Sequence, residues 1–193
     1  MDLNLYFSGP YPLLHESKDL LHNCPFLKEE GIYFWAVKQK ETGHYLITYI
    51  GETSAGLYRR TKEHVIQTLG GNYQICDAHA LVNGENKVLW NGLWRKGFRE
   101  NLPLLLKNLD FYTAKAKEHL LVQKVFFAPI ELEKAERRRL ESVFAHSVKA
   151  DDKASKLLPD DIRFLKLRPT EYGKEFTVFC NIPGIGMPAK LVI

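Results

Sequence analysis

The sequence predicts a single α+β domain in which a small three-stranded mixed β-sheet is flanked by helices. Residues 31–37 and 45–51 are rich in aromatic and branched side chains and enclose a polar turn, which is typical of a β-hairpin. An amphipathic helical pattern over 55–69 follows the hairpin at once. A third strand-like run over 121–130 precedes a strong helical pattern over 131–148. We therefore expect a sheet of three strands with these two helices packed against it.

Composition places the chain among ordinary globular proteins. Of its 193 residues, 45% are hydrophobic and 26% are charged, and the formal charge of +4 permits nucleic-acid binding without indicating it. No apolar run approaches the roughly 20 residues that span a bilayer, so we expect no membrane partner. No basic region precedes the first apolar residues, and the three cysteines are far apart. We therefore expect no signal peptide, no disulfide framework and a cytoplasmic location.

The helix over 55–69 has clear end signals and one apolar side. Thr53 or Ser54 can cap its start, and Gly70-Gly71-Asn72 ends it. A helical wheel predicts an apolar stripe that faces the hairpin, formed by Leu57, Tyr58, Thr61 and Val65. Arg60 and His64 are four residues apart, so they lie together on one flank of this stripe.

Two tripeptides stand at the ends of the hairpin strands: Gly31-Ile32-Tyr33 and Tyr49-Ile50-Gly51. The order GIY, then YIG, then a helix carrying Arg60-x-x-x-His64 resembles the GIY-YIG nuclease family. Both tripeptides in order on adjoining strands are much more specific than either alone. Tyr33 and Tyr49 are sixteen residues apart, somewhat wider than the family's usual spacing, so we expect a longer hairpin loop.

The resemblance implies a GIY-YIG endonuclease-like fold and a metal-dependent endonuclease, restriction-like or stand-alone, that hydrolyses DNA phosphodiester bonds. It implies Mg²⁺ or Mn²⁺ as the cofactor and double-stranded DNA as the partner. Tyr33, Tyr49, Arg60 and His64 match the family's catalytic positions, and either tyrosine can be the general base. The alternative is a nucleic-acid-binding module that keeps the fold without cutting. Cleavage of plasmid DNA discriminates between the two.

The family also places a metal-binding glutamate on the helix after the third strand, behind a leucine and ahead of two apolar residues. Leu140-Glu141-Ser142-Val143-Phe144 fits this pattern, and a helical wheel puts Glu141 at the edge of the buried stripe. Glu136 competes because it falls within the stripe, where a lone carboxylate is costly unless paired or metal-bound. We expect Glu141 to be the catalytic metal ligand and Arg137-Arg138-Arg139 to fan out over the exposed side.

These residue types suit phosphodiester hydrolysis. Arg60 offers planar donors to the nonbridging phosphate oxygens. A phenol has an ordinary pKa near 10, so we expect the metal, Arg60 and a charged His64 to lower the pKa of Tyr33 and Tyr49. His64 can also relay the proton.

The rest of the chain surrounds this core. The expected divisions of the single domain 1–193 are a lead-in over 1–30, a core over 31–69 and 121–148, an insertion over 72–119 and a C-terminal extension over 149–193. We expect a short helix around 17–22 and strands in the extension over 162–167 and 175–182. Within the insertion we expect a hairpin over 78–90 turning at 83–86, and helices over 102–109 and 111–120.

The insertion also carries a basic, aromatic segment that includes Trp90 and Trp94. Arginine and lysine mixed with aromatic rings suit nucleic acid through charge neutralisation and stacking. Alternatively, the two tryptophans close a small satellite core and the charges are solvated. The candidate nucleic-acid-binding residues are Arg59, Lys62, Arg95, Lys96, Arg99 and Arg138.

Overall fold

A computed structural model describes residues 3–13, 24–94, 98–152, 155–159, 173–179 and 190–193. It confirms the α+β class. The predicted helix around 17–22, the strand over 162–167 and Cys180 lie outside the described residues. No helix in the described part of the chain is both long and apolar enough to cross a membrane. Because the single-domain prediction extends over residues that are not described, it stays a prediction.

Strands and helices alternate along the described residues. The strands are β1 (Leu3–Tyr6), β2 (Ser8–Pro12), β3 (Gly31–Lys38), β4 (Tyr45–Thr53), β5 (Ile75–Cys76), β6 (Val88–Trp90), β7 (Gln123–Pro129), β8 (Glu175–Phe179) and β9 (Lys190–Val192). The helices are α1 (Leu57–Leu69), α2 (Ala78–Val82), α3 (Phe98–Lys107), α4 (Leu109–Val122) and α5 (Lys134–Lys149).

The central sheet has four strands in the order β2-β7-β3-β4, and each neighbouring pair is antiparallel. The three predicted strands are present, but the expectation of a three-stranded mixed sheet was wrong for this sheet. The lead-in supplies β2, which pairs with the open edge of β7. The sequence did not predict β2, because its two prolines are unfavourable in a strand except at the edge of a sheet. A second sheet, β1-β8-β9, is mixed because β1 and β8 run parallel.

The two faces of the central sheet bury different side chains. Ile32 and Phe34 of β3 face α5, in a core that includes Leu140 and Phe144. Leu5 of β1 and Phe176 of β8 join the same core, so the lead-in and the extension pack on that face. Tyr33 and Trp35 face the other side, where Leu57 of α1 and Leu120 of α4 complete a second core. Alternation along β3 thus divides the aromatic side chains between the two layers.

The two motif glycines are required by close approaches. A Cβ on Gly31 would overlap the backbone carbonyl oxygen of Ala128 on the neighbouring strand β7. A Cβ on Gly51 would come within 2.6 Å of the Tyr33 hydroxyl and 2.8 Å of the Tyr49 ring. Gly51 pairs directly with Tyr33 across the hairpin, and the two tyrosine rings lie 5.9 Å apart over this space. The glycine of YIG therefore leaves room for the two phenols to meet.

Helix α1 differs in detail from the sequence prediction. Its N-cap is Gly56, with no side-chain cap, because the Thr53 hydroxyl instead donates to the Gly56 carbonyl. Tyr58 is exposed, whereas Leu57, Thr61, His64 and Thr68 are buried. The buried side of α1 is thus rotated toward His64, a residue that the sequence analysis placed on the flank of the apolar stripe.

One helix of the insertion stands where we expected a strand. The predicted hairpin over 78–90 was wrong, because Ala78–Val82 forms α2. Asp77 caps α2 by accepting a hydrogen bond from the Ala80 amide at 2.9 Å. The short strand β5 pairs with β6 instead. The two later helices, α3 and α4, confirm the helical predictions.

The two insertion tryptophans have different surroundings. Trp90 is buried in a satellite core with Ile75, Leu93 and Leu105, and its indole N–H donates to the Gly71 carbonyl at 2.7 Å. Its role is therefore structural. Trp94 is 62% exposed and remains available for contact with a ligand.

Arg137 corrects the expectation that all three arginines of the run lie on the exposed side of α5. Its side chain is 2% exposed, and its guanidinium bonds Glu30 at 2.9 Å and Glu52 at 2.8 Å. It also donates to the Leu132 carbonyl at 2.7 Å. Arginine is the side chain best suited to such a site, because its fork satisfies several acceptors at once. Arg137 therefore ties α5 to the start of β3 and the end of β4.

We predict that Arg137→Met lowers the free energy of unfolding by roughly 3 kcal/mol, because it leaves the half-buried Glu52 and Glu30 without their partner. The matched control is Arg138→Met, whose side chain is 56% exposed and 3.8 Å from Glu52. That change should cost less than about 1 kcal/mol. Urea denaturation of both variants measures the difference. Equal losses would contradict the structural role assigned to Arg137.

Candidate active site

The predicted catalytic side chains converge at strand β4, an edge of the central sheet. Helix α1 packs on one face of the sheet and α5 on the other. Between them lies a cleft of about 510 Å³, called here the Glu141 cleft. Its lining residues are Tyr49, Glu52, Thr53, Ser54, Ala55, Arg60, Glu63, Lys134, Arg138 and Glu141.

Tyr33, Arg60 and His64 form one hydrogen-bonded group. The Arg60 Nε–H donates to the Tyr33 hydroxyl at 3.2 Å, and this hydroxyl lies 2.9 Å from His64 Nε2. Since arginine can only donate, the Tyr33 oxygen is the acceptor from Arg60, and the imidazole tautomer decides which partner donates in the bond to His64. Arg60 also donates to Glu63 at 3.2 Å. The four-residue spacing on α1 thus brings both Arg60 and His64 to Tyr33.

Burial controls the titration of these groups. The pKa of Tyr33 is raised well above its ordinary value, and that of Tyr49 is raised too, chiefly by burial despite the opposing charge of Arg60. Burial and then Arg60 lower the pKa of His64 to about 3, so it is neutral near pH 7. The expectation of a charged His64 was therefore wrong. In the protein without metal, burial outweighs the charge of Arg60 at both phenols, and a lowering of their pKa values by a bound metal stays a prediction.

The two tyrosines differ in access. Tyr33 is fully buried, whereas Tyr49 is partly exposed and lines the Glu141 cleft. Their hydroxyls interact with each other, and both interact with Arg60. Tyr49 is therefore the phenol that a molecule in the cleft would meet, and Tyr33 lies behind it.

Glu141 lies on the opposite side of the cleft, on α5. Burial, and next the charge of Glu52, raise the pKa of its carboxyl to about 7. The Glu52 backbone amide, Arg60 and Arg138 act in the other direction, holding negative charge on the group. A partly buried carboxylate beside a second carboxylate is short of positive charge. This environment fits a cation.

Glu136 points elsewhere. It is buried on α5 and forms an ion pair with Lys174, next to β8 of the second sheet. Five residues separate it from Glu141, which places the two on different sides of the helix. The ammonium group of Lys174 thus offsets the cost of burying the Glu136 carboxylate, and a metal ion is not needed for it.

The predicted nucleic-acid-binding residues are only partly gathered at the cleft. Arg138 lines it, while Arg59 and Lys62 are exposed on α1 outside it. Arg95, Lys96 and the Arg99 side chain lie outside the described residues.

Sequence reasoning missed Lys134, Glu52 and Glu63 at the cleft. Lys134, Arg138 and Glu141 stand at i, i+4 and i+7 of α5, so they share one helix face, a spacing that could have identified Lys134. Glu52 directly follows the YIG tripeptide, but no sequence pattern showed that its carboxylate would bond Arg137. Among the described residues, no group of three or more His, Cys, Asp or Glu side chains is arranged to hold a metal ion. The sequence prediction assigned the ion one protein ligand, Glu141.

Comparisons of the chain with protein-family models, curated proteins and solved structures found no match.

We predict that Glu141 destabilises the metal-free fold as the pH rises. The folded protein keeps the Glu141 proton up to about pH 7, whereas the unfolded chain loses it near 4.5. Because the folded state binds more protons in that window, stability falls between about pH 4.5 and 7 and is constant above. His64 and His119 act in the opposite direction, since burial lowers their pKa values.

A variant isolates the Glu141 contribution from the histidines. In buffer containing EDTA, the free energy of unfolding of Glu141→Gln relative to the natural chain should rise by roughly 2–3 kcal/mol between pH 5 and 8, at about 1.4 kcal/mol per pKa unit. Urea denaturation at each pH measures it. Parallel pH profiles for the two proteins would show that the carboxyl titrates normally.

Proposed function

We propose that this chain is a metal-dependent endonuclease that hydrolyses DNA phosphodiester bonds with a GIY-YIG-type site. One observation carries the proposal: side chains from a strand, from the helix that follows it and from a helix distant in the chain meet around one cleft at the edge strand. Tyr49, Arg60 and Glu141 all line it, with Tyr33 and His64 bonded behind them. This combination of a guanidinium, phenols and a carboxylate is what hydrolysis of a phosphate diester requires.

The cationic side chains of the cleft suit a phosphate. Arg60, Lys134 and Arg138 come from two helices and line the same space. In the free protein the exposed end of Arg60 is paired with Glu63 at 3.2 Å, a surface pair worth little. A phosphate oxygen can compete for those donors with a stronger charge-assisted bond. Arg60 is thereby placed to hold the scissile phosphate and to stabilise charge that develops on it.

Glu141 would hold the divalent ion. A single buried carboxylate short of positive charge fits Mg²⁺, or Mn²⁺ in its place, because Mg²⁺ is bound through one or two carboxylates and keeps several waters. When bound, such an ion neutralises phosphate charge and stabilises the leaving oxygen. Glu52 cannot serve equally, since its carboxylate is engaged by Arg137 and Arg138.

The proposed proton route starts at Tyr49, the phenol that faces the cleft. As the oxygen of a water bonds to phosphorus and the bond to the 3′ oxygen breaks, the water proton passes to Tyr49 and the leaving 3′ oxygen takes a proton from solvent water in the cleft. The Tyr49 proton moves to the neighbouring Tyr33 hydroxyl, and the Tyr33 proton moves to His64 Nε2, 2.9 Å away, a route that requires the His64 tautomer with its proton on Nδ1. Burial is the main cause that keeps His64 neutral, and the charge of Arg60 is the second; a phosphate bound to Arg60 offsets this second cause and makes the imidazole a better acceptor.

The test is Mg²⁺-dependent nicking or cleavage of supercoiled plasmid DNA. We predict that Arg60→Ala lowers the turnover rate by roughly 10²–10³-fold, the scale for loss of one preorganised donor. Its fold should persist, because the side chain is 34% exposed. Lys117→Ala is the charge-matched control, since Lys117 is exposed on α4 away from the cleft. It should cut within a few-fold of the natural chain.

Near-normal cleavage by Arg60→Ala would remove Arg60 from the chemistry. If the natural chain binds DNA but does not cut it with Mg²⁺ or Mn²⁺, the non-catalytic binding module replaces the nuclease as the function.

A further inference from the structure

A second, larger cavity adjoins the Glu141 cleft. Its volume is about 650 Å³, within the range of roughly 300–1,000 Å³ typical of small-molecule sites. The central sheet supplies one wall and the insertion supplies much of the other. Tyr49 and Arg60 line both this cavity and the cleft, so the two spaces share a boundary. We call it the aromatic cavity, after the four rings described next.

Aromatic side chains line this cavity from its inner wall to its rim. Trp35, Tyr49, Tyr73 and Trp94 all contribute. The rings are in mutual contact: Trp35 lies 6.2 Å from Tyr49, and Trp94 lies 5.1 Å from Tyr73 in an edge-to-face arrangement. His64 links the two pairs, with its ring 4.9 Å from Tyr49 and 5.3 Å from Tyr73. Trp94, the most exposed of these rings, presents a flat face on which a planar group can stack.

Apart from Arg60, the polar lining among the described residues is uncharged when its histidines are neutral. Five amide side chains line the aromatic cavity: Asn72, Gln74, Asn86, Asn91 and Gln123. Each amide carries both donors and acceptors, the same mixture that the edges of nucleobases present. Among the described lining residues, Arg60 bears the one formal charge, and it lies at the boundary with the cleft. The interior therefore suits a neutral planar heterocycle rather than a phosphate.

His119 adds a donor of defined position. Its Nδ1 accepts a hydrogen bond from the Cys76 amide at 3.3 Å, so the neutral imidazole carries its proton on Nε2. Burial lowers the pKa of His119 to about 4, which keeps it neutral near pH 7. His119 lines the aromatic cavity, although the proposed hydrolysis gives it no role.

We propose that the aromatic cavity binds one unpaired nucleobase of the DNA strand whose phosphate is held at Arg60. The inference rests on the proposed function and narrows its substrate class to DNA with a base extruded from the duplex or already unpaired beside the cut. The shared boundary matches the layout of a nucleotide, which carries a neutral ring beside a charged phosphate. Enzymes that bind an extruded base stack it between aromatic side chains and read its edge by hydrogen bonds, as these walls can.

The test compares two strands with equal charge. The Glu141→Gln variant, in buffer containing EDTA, is titrated into a fluorescent single-stranded 12-mer of thymidine. A second titration uses a fluorescent 12-mer of abasic tetrahydrofuran units. Anisotropy gives both affinities. The thymidine strand should bind at least about 5-fold more tightly, because stacking one base on an aromatic side chain contributes roughly 1–3 kcal/mol.

Matched variants locate the preference. In the same background, Trp94→Ala should weaken binding of the thymidine strand about 10-fold and leave the abasic strand unchanged, while Trp94→Phe should restore most of the loss. Phe111→Ala is the control, because Phe111 is an equally exposed aromatic of the insertion outside the cavity. It should change neither affinity.

Equal affinity for the two strands, or equal losses in Trp94→Ala and Phe111→Ala, would overturn the cavity assignment. If the natural chain cleaves plasmid DNA but the binding assay shows no preference for the thymidine strand, the nuclease function is supported and the base site is contradicted. A Trp94-dependent preference for the thymidine strand, in a chain that does not cleave plasmid DNA, would support the base site and contradict the nuclease function.

Discussion

The buried guanidinium of Arg137 is the interaction on which the geometry of the site depends. It joins α5 to Glu30 at the start of β3 and to Glu52 at the end of β4. The Glu52 backbone in turn lies beside the Glu141 carboxyl and acts to lower its pKa. Arg137 thereby connects the helix that bears the candidate metal ligand to the hairpin that bears the two phenols. Without the Arg137 ion pairs, the two halves of the site would be held only by their packing on opposite faces of the sheet.

The free site offers positive charge to an added anion and a carboxylate to an added cation. Phenols that burial keeps protonated, a neutral His64 and a Glu141 carboxyl with a raised pKa face Arg60 and Arg138. An added phosphate supplies negative charge to the arginines, and an added cation supplies positive charge to the carboxylate. The same features that lower the stability of the metal-free fold therefore favour the two ligands that the proposed reaction needs.

Sequence reasoning could identify the parts governed by local pattern. The hairpin, α1 and α5 follow from periodicity, and the four-residue spacing of Arg60 and His64 brings both to Tyr33. It could not identify the partner of Arg137, because a buried arginine depends on acceptors brought together by the fold. The edge strand β2 was hidden by its prolines. Nor could it place the aromatic cavity, whose walls come from segments distant in the chain.

The most direct test of the account compares two glutamates of one helix. Glu141→Gln and Glu136→Gln each remove one negative charge from α5, but only Glu141 lines the cleft, while Glu136 pairs with Lys174. Each is measured for Mg²⁺-dependent plasmid cleavage and for DNA binding in EDTA. The account predicts that Glu141→Gln binds DNA and loses at least about 10²-fold in cleavage, a loss of charge stabilisation at the reacting phosphate, while Glu136→Gln keeps most of its activity. Cleavage lost in Glu136→Gln and kept in Glu141→Gln would contradict it.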